Sequence, residues 1–271
     1  MLYLRDDFKK AWQGKDPQSL LEAMDGEVYR ALEARRTFRF ELNGKGYFAK
    51  VHGGVGWFEI LENFVHLRKP VLGARNEWEA LNKLHDIGID TMTPVAYGET
   101  GKNPATRRSF LVTEELANMV TLEDFCEHWK TAPPGFGLKR AMTLKLAEIS
   151  KKLHDNGINH RDYYLCHFMM PKTQAPDLEN LKFYLIDLHR AQIRDKIPER
   201  WRLKDLSGLY FSAMDYGISR NDVFRFLKAY TGLSLRDTLK QYSALLTRIE
   251  KKAVKLYQRM ERKQERVAPK T

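Results

Sequence analysis

Residues 159–168, NHRDYYLCHF, decide the reading of this chain. They follow Leu138–Asn156, where Met142, Leu146, Ile149 and Leu153 recur at helical spacing and Gly157 supplies a stop. They run into Cys166–Met170, an apolar segment separated by a Pro-containing loop from a second one, Phe183–Leu188; the two predict a strand pair. The second segment reads Tyr184-Leu185-Ile186-Asp187-Leu188, so Asp162 and Asp187 each stand at the end of a predicted strand. Two carboxylates so placed can converge on one pocket. There one orients a hydroxyl nucleophile and the other holds a divalent cation.

Outward toward the N-terminus, Thr37–Leu42 and Gly46–His52 alternate apolar and polar residues around Asn43-Gly44-Lys45-Gly46, which predicts a β-hairpin. Its second strand carries Tyr47-Phe48-Ala49-Lys50, and Glu77 lies early in a helical segment, Ala74–Ile87, that stops at Gly88. A buried lysine held by a glutamate can grip nucleotide phosphates without leaving an unpaired charge. Between them Trp57–Arg68 (WFEILENFVHLR) reads as an amphipathic helix, and Thr93–Gly98 and Ser109–Glu114 as two more strands. After Leu116 the pattern turns helical: Leu122–Trp129, then everything from Lys204 onward, with a last helix that starts at Ser234 and has Asp237 as its capping partner. The expected architecture is α+β. A small β-rich lobe with an inserted helix spans residues 1–116, and a larger helical lobe spans 117–271.

Composition bounds the function. The chain has 271 residues, 43% of them hydrophobic, with 46 Lys+Arg against 35 Asp+Glu and a net charge of +11. This is enough to build a core and excludes wholesale disorder and collagen-like repeats. Two cysteines, Cys126 and Cys166, are too few for a disulfide scaffold and suit a reducing compartment. The start, MLYLRDDFKKAWQGKD, lacks the apolar core of a signal peptide, and no apolar run approaches the length of a membrane span. The expectation is a soluble, cytoplasmic protein with a polyanionic partner.

The ordered set YFAK, HRD and IDL resembles the protein kinase-like fold: a strand lysine, a catalytic loop and a metal-binding aspartate, with Phe110–Leu116 where the strand and hinge beneath adenine should lie. There are departures. No GxGxxG covers the phosphates, which leaves the Leu32–Arg36 turn or Lys50 and other cations to do so. The metal aspartate is followed by Leu188-His189 rather than Phe-Gly, no Ala-Pro-Glu follows, and His167 stands where Asn would be the second metal ligand. Imidazole suits Mg²⁺ poorly, so bonding to a phosphate or a backbone group is the other reading of His167. These departures favour a small-molecule or glycolipid kinase over a regulated protein kinase.

NHRDYYLCHF, together with IDLHRAQ, RWRLKDLSGLYFSA, PVLGARNEWEAL and VTEEL, is similar to the lipopolysaccharide core heptose(I) kinase family (WaaP/RfaP type) over about residues 5–260. That resemblance implies transfer of the ATP γ-phosphate to the first heptose of a lipid A-anchored acceptor, at the cytoplasmic face of the inner membrane. It implies Asp162 as base, Asp187 as Mg²⁺ ligand with His167 in the second ligand position, Lys50 with its partner Glu77 on the phosphates, and Glu114, Glu115 and Leu116 as the adenine-contacting segment. Family members are associated with acyl carrier protein, an acidic partner that suits the surplus positive charge.

Other residues are read beside these. Arg161 either binds a phosphate or stabilises neighbouring carboxylates; Arg200, Arg202 and Lys204 are candidate contacts to anionic groups of the acceptor, and Asp205 fits a brace for the catalytic loop. The Trp57–Arg68 helix packs on the small lobe or dips aromatic residues into a lipid boundary with Arg68-Lys69 at the head groups. The last helix has a seam of Leu235, Leu239, Tyr242, Leu246, Ile249, Ala253, Leu256 and Met260, read first as packing on the large lobe. Its cationic outer face is a candidate surface for anionic lipid or acyl carrier protein. A kinase for Kdo or another sugar, a protein tyrosine kinase and a non-catalytic binding module are the alternatives; nothing beyond charge suggests nucleic acid.

Overall fold

The computed structural model describes residues 1–32, 35–65, 73–172 and 176–267. The turn residues 33 and 34, and the Arg68-Lys69 pair, lie outside them. The chain divides into two units, one of Met1–Asp86, Thr91–Ala117 and Asp187–Ala191, the other of Ile87–Asp90, Asn118–Ile186 and Gln192–Thr271.

The first unit contains β1 (Leu2–Leu4), α1 (Asp6–Ala11), α2 (Pro17–Ala23), β2 (Glu27–Leu32), β3 (Arg35–Leu42), β4 (Lys45–His52), α3 (Gly56–Val65), α4 (Arg75–Asp86), β5 (Pro94–Thr100) and β6 (Arg108–Glu114). Six strands form one antiparallel sheet in the order β1-β5-β6-β4-β3-β2. Leu42 pairs with Lys45 across Asn43 and Gly44, whose φ values of 52° and 73° are those of a type I′ turn, so the expected hairpin forms where Asn-Gly stands.

Strand alternation then sorts the side chains of β4. Tyr47, Ala49 and Val51 point into a core with Phe38, Phe40, Phe110 and Val112, which α1 and α2 cover with Phe8, Trp12 and Leu21. Lys50, one residue out of phase, is on the opposite face. There α4 lies against the sheet, with Trp78 stacked on Tyr97 at 4.9 Å between ring centroids.

The second unit contains β7 (Met119–Thr121), α5 (Leu122–Phe125), α6 (Phe136–Asp155), β8 (Ile158–Asn159), β9 (Phe168–Pro171), β10 (Tyr184–Leu185), β11 (Gln192–Ile193), α7 (Glu199–Ala213), α8 (Arg220–Thr231) and α9 (Leu235–Val267). The expected Leu122–Trp129 helix ends at Phe125. The expected strand pair is β9–β10, with Tyr184 opposite Met169. The Ser234 hydroxyl accepts from the Asp237 N–H at 3.1 Å and donates to its carboxylate at 2.6 Å, which caps α9 where the sequence places its start. From α9, Leu245 and Ile249 pack with Leu206, Tyr230 and Ala147, flanked by Tyr242 and Leu246, and Ala253 is fully buried. Leu239, expected in the seam, is 40% exposed; the inward face is thus carried by Tyr242 through Ala253.

Candidate active site

The loop after α6 is built by its neighbours. Gly157, at φ 73°, turns the chain out of the helix, and a Cβ there would overlap the Arg194 carbonyl, so the β8–β11 pairing that launches the loop needs glycine. Two residues past β8, Arg161 has φ 77°, a conformation that costs a side-chain-bearing residue about 1 kcal/mol or more. Asp205 of α7, fully buried, offsets this. Its Oδ2 accepts the His160 N–H and its Oδ1 the Arg161 N–H, both at 2.8 Å. Asp205 is in turn approached by His154 Nε2 at 3.5 Å, and His154 Nδ1 lies 2.8 Å from the Tyr230 hydroxyl.

The loop so held presents Asp162, whose side chain is 17% exposed, with Lys204 Nζ 3.9 Å from its Oδ1. His167 Nδ1 lies 2.6 Å from the Asp162 carbonyl oxygen, which is the backbone bond that the sequence left open as its second reading. Ile186 joins the same loop on both sides. Its N–H donates to the His167 carbonyl at 2.9 Å, and its own carbonyl lies 2.9 Å from His160 Nε2.

These two bonds fix the chain immediately before Asp187. Strand β10 stops at Leu185, so Asp187 does not end a strand as expected. It sits at φ 59°, ψ 52°, in the left-handed region, and opens a short turn over Leu188–Arg190. Its Oδ1 lies 2.6 Å from His189 Nδ1, and its side chain is one-third exposed.

In the first unit, Lys50 Nζ and Glu77 Oε1 form an ion pair, with side chains 14% and 1% exposed. Glu77 Oε2 is buried and has no hydrogen-bond partner among the described residues. In the expected adenine segment the Glu114 N–H donates to the Thr93 carbonyl at 2.9 Å and the Glu115 N–H to the Gly46 carbonyl at 3.0 Å. The Glu115 carboxylate accepts from Arg39 Nε at 2.9 Å, and the Glu114 carboxylate from Arg5 Nη1 at 2.5 Å. Arg5 and Arg39 carried no sequence signal for these bonds, since their partners lie far along the chain.

Two residues from Lys50, His52 is buried, and burial first, then Arg35, Lys50 and His189, lower its imidazole to about 3. The unfolded chain takes up this proton near pH 6.5 while the folded one refuses it until about 3. Stability from His52 is therefore complete above pH 6.5 and lost as pH falls toward 3, by on the order of 3–5 kcal/mol. His52→Gln should flatten the fall of Tm with pH between 6.5 and 4, measured by calorimetry; parallel curves for the two proteins would exclude the role.

The family model described as "Lipopolysaccharide kinase (Kdo/WaaP) family" matches residues 19–230. The chain belongs to this lipopolysaccharide kinase family. A relative from Pseudomonas aeruginosa, named lipopolysaccharide core heptose(I) kinase WaaP, is 49% identical over 96% of this chain and 97% of its own. An Escherichia coli relative of the same name is 48% identical over 97% and 99%. A solved structure titled "WaaP in complex with acyl carrier protein" superposes with a TM-score of 0.84 at 46% identity, over 95% of this chain and 99% of that one. Membership of the Kdo/WaaP family makes the chain a kinase, with the sheet-rich N-terminal and helical C-terminal regions of that fold.

Proposed function

We propose that this chain is an ATP-dependent kinase that phosphorylates heptose I of the lipopolysaccharide inner core on a lipid A-linked acceptor. The observation that carries the reading is the 46–49% identity, nearly end to end, with three relatives named heptose(I) kinases. Asp162 accepts the proton of the heptose hydroxyl as its oxygen bonds to the γ-phosphorus, and the bond from that phosphorus to ADP breaks. Lys50, anchored by Glu77, offers its ammonium to the ATP phosphates. Glu114–Leu116 reads the adenine edge through its carbonyls and the Leu116 N–H, because the other two N–H groups are already bonded within the sheet.

Asp187, a carboxylate one-third exposed at the start of its turn, would hold Mg²⁺ as an oxygen donor. When bound, the ion neutralises phosphate charge. His167 suits it less, and its bond to the Asp162 carbonyl supports a part in holding the loop instead. Mass spectrometry of a purified core acceptor incubated with ATP and Mg²⁺ tests the reading. A gain of one phosphate on heptose I is expected, and transfer to another sugar or none at all overturns it.

The relative solved with acyl carrier protein extends to this chain as a proposed acidic partner for a protein of net charge +11. Native mass spectrometry of the purified chain would show the retained partner, and full activity without it would remove the requirement. No described helix is long and apolar enough to cross a membrane. Peripheral association with the inner membrane falls to α3, where Trp57, Phe58 and Leu61 are 56%, 83% and 59% exposed. Trp57→Ser/Phe58→Ser should weaken binding to vesicles of phosphatidylethanolamine and phosphatidylglycerol several-fold while Tm holds. Unchanged flotation with the vesicles would end that assignment.

A further inference from the structure

The start of α7 breaks two rules of fold stability at one place. Its N-cap, Pro198, makes no side-chain cap, and Arg200 and Arg202 stand beside Glu199, the acid of its first turn, where the helix dipole favours negative charge. Around the Trp201 ring, in addition, the guanidinium carbons of Arg161, Arg200 and Arg194 lie 5.2, 5.3 and 5.8 Å from the centroid. One such contact is favourable, but three cations sharing one ring repel each other. Burial and then Arg200 hold the Arg194 guanidinium below its ordinary range.

The two carboxylates of α7 itself are engaged elsewhere. Glu199 is paired with Arg248, and Asp205 is taken by the two loop N–H groups. Arg194 donates instead to the neutral oxygens of Asn159 and Gln192, at 2.6 and 2.5 Å. Trp201 Nε1 and Arg202 Nε are buried with no acceptor among the described residues. Conflicts of this kind with the local rules of a fold mark functional sites. An oxyanion resolves this one, because guanidinium forks and helix N-terminal N–H groups both bind such groups.

We propose that Arg161, Arg194 and Arg200, gathered on Trp201 at the start of α7, together with Arg202 at the next position of the helix, form a recognition site for an oxyanion of the acceptor glycolipid. The oxyanion is a carboxylate or phosphate on a sugar beside the one phosphorylated. The inference rests on the reading of Asp162 as the base: Arg161 is its immediate neighbour, and Lys204, on the same helix as Arg200, approaches its carboxylate. The site orients an acidic acceptor so that a hydroxyl of the adjoining ring meets Asp162, and a neutral sugar lacks that second point of attachment.

Arg200→Gln tests this, since Arg200 is exposed and its described contact is with the neighbouring Trp201 ring. Wild type and variant are compared on the intact core acceptor, on the same acceptor with its sugar carboxylates reduced to alcohols, and on a dephosphorylated one. On the intact acceptor kcat/KM should fall about tenfold, through KM for the glycolipid and not KM for ATP. The gap between the proteins should close on the carboxyl-reduced acceptor if a sugar acid is bound, or on the dephosphorylated acceptor if a phosphate is. An equal loss on all three, or no loss on the intact one, overturns the anion site while leaving the kinase reading in place. Wild type that phosphorylates none of them sinks that reading, and this one with it.

Discussion

Asp162→Asn should lower kcat by about three orders of magnitude, within the range that a positioned general base contributes. The substitution is isosteric, and the loop is held at its backbone. Arg161 is held in its left-handed conformation by Asp205 through backbone N–H groups, and His167 is bonded to the Asp162 backbone carbonyl. The variant loses the proton acceptor, and with it the charge facing Lys204. The far-ultraviolet spectrum and Tm should therefore match wild type, and ATP affinity by calorimetry should change by no more than about threefold, because the phosphate grip is assigned to other residues. Transfer to the core acceptor within tenfold of wild type would refute the assignment of Asp162 as base.

The legible parts of this fold are those in which local chemistry and tertiary packing agree. Asn43-Gly44 dictates its turn because both residues accept positive φ, and Gly157 ends α6 for the same reason. Alternation in Tyr47–Val51 puts Lys50 on the face away from the core, and helical spacing brings Glu77 to it. The first 32 residues gave no comparable signal. Strand β1 has three residues and α1 has six. Elements so short are marginal alone and exist here because Phe8, Trp12 and Leu21 bury themselves against the sheet. Strand β1 is likewise held as an edge by β5, a partner far away in sequence. Asp187 was legible as a residue but not as a conformation, since an aspartate in the left-handed region has no pattern of its own in an apolar run. Of the arginines around Trp201, Arg161 and Arg200 were legible as candidate anion contacts and Arg194 was not; only α7, the residue after β11 and the loop together make them a cluster.

Lys50→Met separates stability from activity at the ion pair of the first unit. The variant leaves the Glu77 carboxylate 1% exposed with neither oxygen carrying a described partner, because Oε2 lacks one already. Breaking a buried pair from one side costs about 3–5 kcal/mol, so a large drop in Tm is expected. Glu77→Gln should cost less, since Lys50 is 14% exposed and its flexible stem can carry the ammonium toward water. In Lys50→Met/Glu77→Leu the charges go together and the site becomes apolar, which is often neutral for stability, so Tm should return most of the way to wild type. Activity should not return with it. If Lys50 neutralises the ATP phosphates, the double variant should remain about a hundredfold or more below wild type in kcat, because a fixed cation at developing phosphate charge is worth that much. A double variant that regains both Tm and transfer would make the pair a structural device of the sheet and α4 alone. Single variants as stable as wild type would show that the pair is solvated enough for neither charge to need the other.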